Sequence, residues 1–298
     1  MITLQGLAEL AATNPGALAA PVAPLTLGDR VVDTDLTPVV MGTINLSRDS
    51  TYRDSIAPST EAAVRRGRLL AAQGADLVDV GAESTNATSA RVEPARQIDQ
   101  LTPVVKALSG DGIAVSAETY DPEVAGACLD AGATVLNFTG NAHEEEIYEL
   151  VGRHGATLIL CSVLGSDVRD IQDVERDDDP IPGYLAHFEE RVALARSRGV
   201  EHVVVDPGLG FFYGNLTDPQ RRIEYQTQVL LRTFELRPLG LPICHALPHA
   251  FDLFQEHFRS AEPFFAVLAR LGGTGVFRTH EVPHVRAALD AMQSLSVR

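Results

Sequence analysis

The fold is indicated first by residues 38–46, which read PVVMGTINL. A short run of β-branched and apolar residues such as this one is typical of a buried strand, and an amphipathic stretch at 61–73 follows it with the period of a helix. Seven further pairs of the same kind follow along the chain. The eight predicted strands lie at 38–46, 77–80, 113–116, 134–137, 157–162, 202–206, 241–244 and 275–279.

Eight strand–helix units predict a closed α/β barrel of the TIM type, (β/α)8, rather than a doubly wound sheet. Eight parallel strands close on themselves, and no GxGxxG turn follows the first strand. Upstream, 25–36 is expected to form a hairpin that plugs the amino end of a barrel unit spanning 25–298, and 1–24 a short arm. The predicted helices lie at 61–73, 93–108, 122–131, 144–154, 183–198, 219–234, 251–271 and 282–295.

The composition is that of an acidic globular protein. Hydrophobic residues make up 45% of the chain, and the formal net charge is -16 at pH 7. Such a charge repels nucleic acid and anionic lipid, so we expect neither nucleic acid nor a membrane as a partner. The three cysteines, Cys128, Cys161 and Cys244, are scattered through apolar segments, which predicts buried free thiols in a reducing cytoplasm.

Polar residues stand where most of the predicted strands end. In a barrel of this kind the active site forms at the carboxyl ends of the strands, so these residues are candidates for it. Each taken singly could instead start a turn, cap a helix or pair with a neighbour. The candidates are Asn45 on the first strand, 83–86 after the second, Glu118 after the third, Asn137 on the fourth, Asp206 on the sixth, and Arg278 with His280 on the eighth.

The candidates form two chemically distinct groups. Because the first and last strands are neighbours in a closed barrel, Asn45, Arg278 and His280 are expected to converge. A guanidinium, an imidazole and an amide around one point suit an oxyanion such as phosphate, with a hard metal ion on the amide oxygen. Asp206 and Asn137 present acceptors for two parallel N–H donors, as found on the amidine-like edge of a heterocycle.

Seven ordered segments resemble the dihydropteroate synthase family of pterin-binding barrels. Together they extend over most of the chain from residue 25 onward, and their order is that of the family. The segments are LGDR at 27–30, MGTINLSRDS at 41–50, DVGAEST at 79–85, SAETY at 116–120, AGA at 131–133 leading to Asn137, DPGLGF at 206–211 and RTHEV at 278–282.

The resemblance implies a transferase that displaces diphosphate from 6-hydroxymethyl-7,8-dihydropterin diphosphate with an arylamine, p-aminobenzoate or a different amine, assisted by Mg²⁺. It implies that Asn45 holds metal and diphosphate, that Arg278 and His280 bind diphosphate, and that Asn137 and Asp206 bind the pterin. A homodimer packed through the outer helices is also implied. Further candidate substrate-binding residues are Glu118, Phe211, Thr85, Asp49, His245 and His249.

The chain departs from the family pattern mainly on the acceptor side. The family usually has aspartate where Glu118 stands, arginine where Asn86 stands, and a Ser-Arg-Lys segment at the seventh strand, where this chain reads HALPHA at 245–250. His245 or His249 could take over from that lysine, or could simply be hydrogen bonded. Other changes are Arg48 and Thr51 in the first loop, Phe138 after Asn137, and Phe212 with Tyr213 after the sixth strand.

Two other functional classes stay open at this point. One is a catalytically silent pterin-binding paralogue, which would keep the pterin pocket and lose the acceptor. The other is a folate-dependent methyltransferase-type pterin-binding domain that partners a corrinoid protein. This last class would not need Asn45, Arg278 and His280 as a set for diphosphate.

Overall fold

The computed structural model describes residues 1–47, 52, 55–85, 89–170, 172–173, 179–211 and 213–296. The chain begins with two short helices, α1 (Leu4–Thr13) and α2 (Pro15–Leu18). They are followed by the expected hairpin, β1 (Leu25–Leu27) and β2 (Arg30–Val32). Gly28 at its turn has φ +59°, a left-handed conformation that favours glycine.

Eight parallel strands form the predicted barrel. The sheet runs in the order β8-β7-β6-β5-β4-β3-β10-β9. It closes between its two ends, where the Val205 N–H donates to Pro242 O at 3.1 Å and Val205 bridges to Ile243. The strands are β3 (Val39–Asn45), β4 (Leu77–Gly81), β5 (Val115–Thr119), β6 (Val135–Phe138), β7 (Thr157–Cys161), β8 (His202–Asp206), β9 (Cys244–Ala246) and β10 (Val276–Thr279).

Helices cover the outside of the barrel, and one predicted helix is divided. The prediction of a single helix over 251–271 is wrong, because Gln255 has φ +48° and interrupts it. None of the described helices combines the length and the apolar character needed to cross a membrane. The remaining elements are α3 (Thr60–Ala72), α4 (Pro94–Gly110), α5 (Pro122–Asp130), α6 (Glu144–His154), α7 (Ile181–Ser197), α8 (Pro219–Arg232), a 3-10 helix (Thr233–Leu239), α9 (Phe251–Phe254), a 3-10 helix (Gln255–Ser260), α10 (Ala261–Leu271) and α11 (Val282–Ser294).

Alternation along the strands divides the side chains between two apolar clusters. On β4, Leu77 packs inside the barrel, whereas Val78 and Val80 face the helices. Since successive side chains on a strand point to opposite faces, Asp79 also points inward. The same period holds on the other strands, so each strand delivers one or two residues to the inside of its carboxyl end. These residues include Asn45, Asp79, Glu118, Asn137, Cys161, Asp206, Ala246 and Arg278.

The β1–β2 hairpin fills the amino end of the barrel. Leu25, Leu27 and Val32 are buried in the same cluster as the inward residues of the strands. A polar contact fixes the hairpin to the barrel wall, because the Thr157 hydroxyl donates to Thr26 O at 2.6 Å. The expectation of a plug is therefore confirmed.

The plug should contribute measurably to stability. We expect Leu27→Ala to lower the free energy of unfolding by about 2–5 kcal/mol, because it leaves a cavity under the barrel. Val31→Ala on the same hairpin is the matched control, since Val31 is 63% exposed and should cost little. Urea unfolding of both variants measures the difference, and equal losses would contradict the plug.

Candidate active site

Arg278 lies at the centre of a buried polar network inside the carboxyl end of the barrel. Its Nε donates to Asp79 Oδ2 at 2.8 Å, and its Nη2 donates to Glu118 Oε2 at 2.5 Å. Asp79 also accepts hydrogen bonds from the Ser116 hydroxyl at 2.7 Å and from the Asn137 amide at 3.3 Å. Four strands are thus tied together through one carboxylate and one guanidinium.

Two carboxyl groups inside this end of the barrel have pKa values raised towards neutral pH. Burial raises the pKa of Glu118 to about 7, although the attraction of Arg278 opposes the rise. Burial likewise raises the pKa of Asp206 to about 6, although the Gly208 N–H, which donates to Asp206 Oδ1 at 2.8 Å, opposes it. The charge of the network therefore changes within the physiological pH range.

Three cavities meet at Gly210 and Arg278, which line all of them. The first, the strand-end cavity, has a volume of about 100 Å³. It brings Asn45, Arg278 and His280 together, as we predicted from the closure of the barrel. Its other lining residues are Tyr52, Glu83, Ser84, Thr85, Glu118 and His249.

Asn45 offers this cavity a suitable ligand for a hard cation. Its Nδ2 donates to Ser55 Oγ at 2.7 Å, so the amide oxygen takes the other side of the group. Mg²⁺ accepts amide oxygens and usually relies on one or two protein ligands, completing its octahedron with substrate phosphates and water. The residue that the sequence predicted as metal ligand therefore fits Mg²⁺.

The second cavity, the inner cavity, lies between Asp206 and Asn137 and is lined also by Phe211 and Thr85. The turn after β8 fixes Asp206, because Gly208 has φ +78° and a Cβ there would lie 2.3 Å from Ser162 O. The volume is about 40 Å³, enough for a few water molecules. A bicyclic heterocycle would fit only after side chains around Arg278 move.

The third cavity, the side cavity, has a volume of about 130 Å³ and is mainly apolar. Arg222 from α8 reaches it, and its guanidinium makes no hydrogen bond or ion pair with the part of the chain that the structure describes. An unpaired guanidinium beside apolar walls is a receptor for an anion carried on an apolar body. The walls include Leu209, Phe211, Ile223, Ala246, Leu247 and Phe251.

His249 and His280 converge on one oxygen of Glu262. The Nδ1 atoms lie 3.0 Å and 3.1 Å from Glu262 Oε1. The ring of Tyr52 stacks on that of His280 with centroids 4.5 Å apart. Burial lowers the pKa of His280 to about 4, although Glu262 opposes this, so its imidazole is neutral at pH 7. Both histidines therefore line the strand-end and side cavities, and Glu262 fixes the orientation of their rings through the Nδ1 atoms.

The prediction that His245 contacts substrate is wrong. It lies on β9 between Cys244 and Ala246, and the pleat turns it away from the barrel interior. It is fully buried, and its Nε2 lies 2.8 Å from the Thr233 hydroxyl. Of the two histidines proposed to take over from the family's lysine, only His249 lines a cavity. Asp49, Arg48, Thr51, Asn86 and Phe212 lie outside the described residues.

Three residues that the sequence analysis did not select belong to the site. Asp79 is fully buried. The sequence pattern could have identified it as a site residue, because it is a carboxylate within an apolar strand and lies two residues after Leu77, which points into the barrel. Glu262 and Arg222 gave no such signal, because each lies in the first turn of an amphipathic helix where charged residues are common.

The chain shares sequence and fold with pterin-binding enzymes. The family described as pterin binding enzyme matches residues 41–237. The type-2 dihydropteroate synthase of Escherichia coli is 28% identical over 86% of this chain and 96% of that protein. A probable bifunctional folylpolyglutamate synthase/dihydropteroate synthase of Halobacterium salinarum is 30% identical over 86% of this chain, which spans only 31% of that longer relative.

Solved structures give the same assignment. The dihydropteroate synthase of Thermus thermophilus in complex with 4-aminobenzoate superposes with a TM-score of 0.74 at 27% identity, covering 92% of this chain and 100% of that one. The Xanthomonas albilineans enzyme with 4-aminobenzoic acid gives 0.76 at 25% identity, covering 93% and 98%. The chain therefore belongs to the pterin binding enzyme family, and its resemblance to dihydropteroate synthases is confirmed.

Proposed function

We propose that this protein transfers the pterin methylene group of 6-hydroxymethyl-7,8-dihydropterin diphosphate to an arylamine and releases diphosphate. The observation that carries the proposal is the meeting of three chemically different cavities at Arg278 and Gly210. One suits an anion with a metal ion, one suits a polar heterocycle edge, and one suits an apolar body with a negative group. A displacement reaction needs these three parts around one carbon atom.

The pterin would occupy the inner cavity. Asp206 and the Asn137 amide present acceptors to the 2-amino group and ring N–H, which are donors on the heterocycle. Because the cavity is small, the ring must displace the Arg278 guanidinium from part of its contact with Asp79 and Glu118. Pterin binding and the release of Arg278 would thus be one event.

The diphosphate would occupy the strand-end cavity. Arg278, once released, can donate two parallel hydrogen bonds to it, and His280 lines the same cavity. Asn45 would hold Mg²⁺, which when bound neutralises charge on the departing oxygens. The bond from the methylene carbon to the diphosphate oxygen breaks as the amine nitrogen bonds to that carbon, so negative charge grows where Arg278 donates. The amine then loses its proton to water, and no strong base is needed.

The acceptor would occupy the side cavity, with its negative group on Arg222. An arylamine carboxylate such as 4-aminobenzoate has this shape, and the T. thermophilus relative was solved with that compound. Lys106 is the sole lysine of the chain and is exposed on α4, so an arginine and a histidine replace the family's lysine in this proposal. The same absence favours the silent paralogue as a second candidate.

Replacement of Arg278 tests the diphosphate assignment. We expect Arg278→Ala to weaken binding of the pterin diphosphate by about 10- to 150-fold, the loss of a charged hydrogen-bond pair worth about 1.5–3 kcal/mol. Binding of bare 6-hydroxymethyl-7,8-dihydropterin should not weaken, because the ring no longer has to displace the guanidinium from Asp79 and Glu118. Calorimetry with both ligands and Mg²⁺ measures the two effects.

Arg278→Lys and Arg68→Ala complete this experiment. The lysine variant keeps the charge next to Asp79 and Glu118 but loses the planar fork, so it should fold and still bind diphosphate poorly. Arg68 is exposed and pairs with Asp111 far from the site, so its removal should change neither ligand. Equal losses for both ligands in Arg278→Ala, or no binding by the unmodified protein, would refute the assignment.

The pH dependence of diphosphate binding should report the competition for Arg278. As the pH falls from 8 to 6, Glu118 gains a proton because its pKa is about 7, and its hold on Arg278 weakens. Asp79 and Asp206 also face Glu118 and favour its protonation. We therefore expect Glu118→Gln to bind inorganic diphosphate about tenfold more tightly than the unmodified protein at pH 8, and nearly equally at pH 6.

Isothermal titration of both proteins with diphosphate across this range makes the measurement. The titration of diphosphate itself affects both proteins equally and cancels in the ratio of their affinities. A ratio that stays constant between pH 6 and pH 8 would mean that Glu118 does not compete for Arg278.

Replacement of Arg222 tests the acceptor assignment. We expect Arg222→Ala to raise KM for 4-aminobenzoate about tenfold while kcat changes less than twofold, because an anchor of the carboxylate binds ground state and transition state alike. Arg221→Ala is the matched control, since Arg221 is the exposed neighbour on α8. Release of diphosphate measures both. Equal KM values would contradict the assignment, and no release with any arylamine despite pterin diphosphate binding would favour the silent paralogue.

A further inference from the structure

Glu262 is a buried carboxylate that faces two histidines. It is 1% exposed, and in the described part of the chain no arginine or lysine pairs with it. Its two ion-pair partners are the imidazoles of His249 and His280. The start of α10 supplies about half a positive charge. Buried carboxylates are normally paired with a counterion or bound to a metal, so Glu262 is a candidate metal ligand.

The hydrogen bonds to Glu262 leave it ionised and orient it. Oε2 accepts from the Thr279 hydroxyl, from the His280 N–H at 2.9 Å and from the Glu281 N–H at 3.2 Å. With the two imidazoles on Oε1, five donors address a carboxylate that has about four lone-pair sites. Of these donors, the two imidazoles alone contact Oε1, and a single divalent ion could take the place of both imidazole protons there.

We propose that His249, Glu262 and His280 bind a divalent transition-metal ion of the zinc class. The three ligand atoms lie within 4.8 Å of one another, and the two imidazole nitrogens lie 3.0 and 3.1 Å from the carboxylate oxygen. A tetrahedral zinc ion with bonds of about 2.0–2.1 Å separates its ligand atoms by about 3.3 Å. Small movements of the three side chains would therefore let the ion bind. Two imidazoles and one carboxylate favour Zn²⁺, Co²⁺ or Fe²⁺ over Mg²⁺, which prefers oxygen.

The surroundings of these three residues resemble those of metal ligands in other proteins. The contacts of Thr279 and Glu281 to Glu262 Oε2 hold the carboxylate from behind, as the outer partners of metal ligands do. Three protein ligands leave a fourth position, and both histidines line the strand-end cavity with Asn45 and Arg278. Two neutral imidazoles and one carboxylate would give the bound ion a net charge of +1, which attracts an anion to this cavity. The site is separate from the Mg²⁺ position proposed at Asn45.

Metal binding by the complete protein tests this inference without pterin or amine, so its outcome is independent of the proposed function. After treatment with a chelator and removal of the chelator, the protein should take up about one equivalent of Zn²⁺. Co²⁺ in its place should give the intense visible absorption of a tetrahedral site. We expect His249→Ala to weaken Zn²⁺ binding by about a hundredfold or more, since even outer partners of ligands are worth 10–100-fold.

His257→Ala is the matched control, because His257 is exposed on the adjacent 3-10 helix and should leave binding unchanged. Glu262→Gln should also abolish binding, and a thermal melt shows whether it folds. If it does not fold, the partly exposed His249 and its control still decide the question. Less than a tenth of an equivalent of Zn²⁺ in the unmodified protein, or equal affinities for His249→Ala and His257→Ala, would overturn the proposal.

Discussion

The carboxyl end of this barrel depends on one guanidinium buried among carboxylates. Without Arg278, Asp79 would be a fully buried anion held only by the Ser116 hydroxyl and an amide, and an uncompensated buried charge costs several kcal/mol. The pair also spans the barrel lumen, since β10 lies two strands from β4 and three from β5. Closure of the sheet and formation of the polar network are therefore coupled.

The contact between Glu118 and Arg278 explains how Glu118 can influence ligand binding. The family usually carries an aspartate there, and the longer arm brings the Glu118 carboxylate to 2.5 Å from Arg278. The arginine is then shared between two acids, and burial keeps Glu118 close to protonation at neutral pH. A ligand that recruits Arg278 must displace a carboxylate, so part of its binding energy offsets that loss. We expect such a site to bind more weakly but to discriminate well against ligands without a strong anion.

The sequence was sufficient for the barrel and for most of the site. Eight apolar runs predicted eight strands, and the rule that strand ends converge brought Asn45, Arg278 and His280 to one cavity. The alternation of side chains along a strand could also have excluded His245 as a substrate-binding residue, because its neighbours Cys244 and Ala246 point into the barrel. Glu262 and Arg222 could not be found in this way. They reach the site from helices, and the direction of a helical side chain relative to a cavity depends on how the helix packs.

The distribution of positive charge decides what the diverged site can still do. With Lys106 on the surface and Arg278 bound to two acids, Arg222 in the side cavity is a cation whose guanidinium has no partner among the described residues. A diphosphate brings several negative charges into a region that already holds Asp79, Glu118 and Asp206. Protonation of Glu118 removes one of these charges at most, and the two metal ions proposed above would offset part of the rest. Oxygen ligands at Asn45 and nitrogen ligands at the two histidines are of different hardness, and they would let two such ions bind side by side without competing for one position.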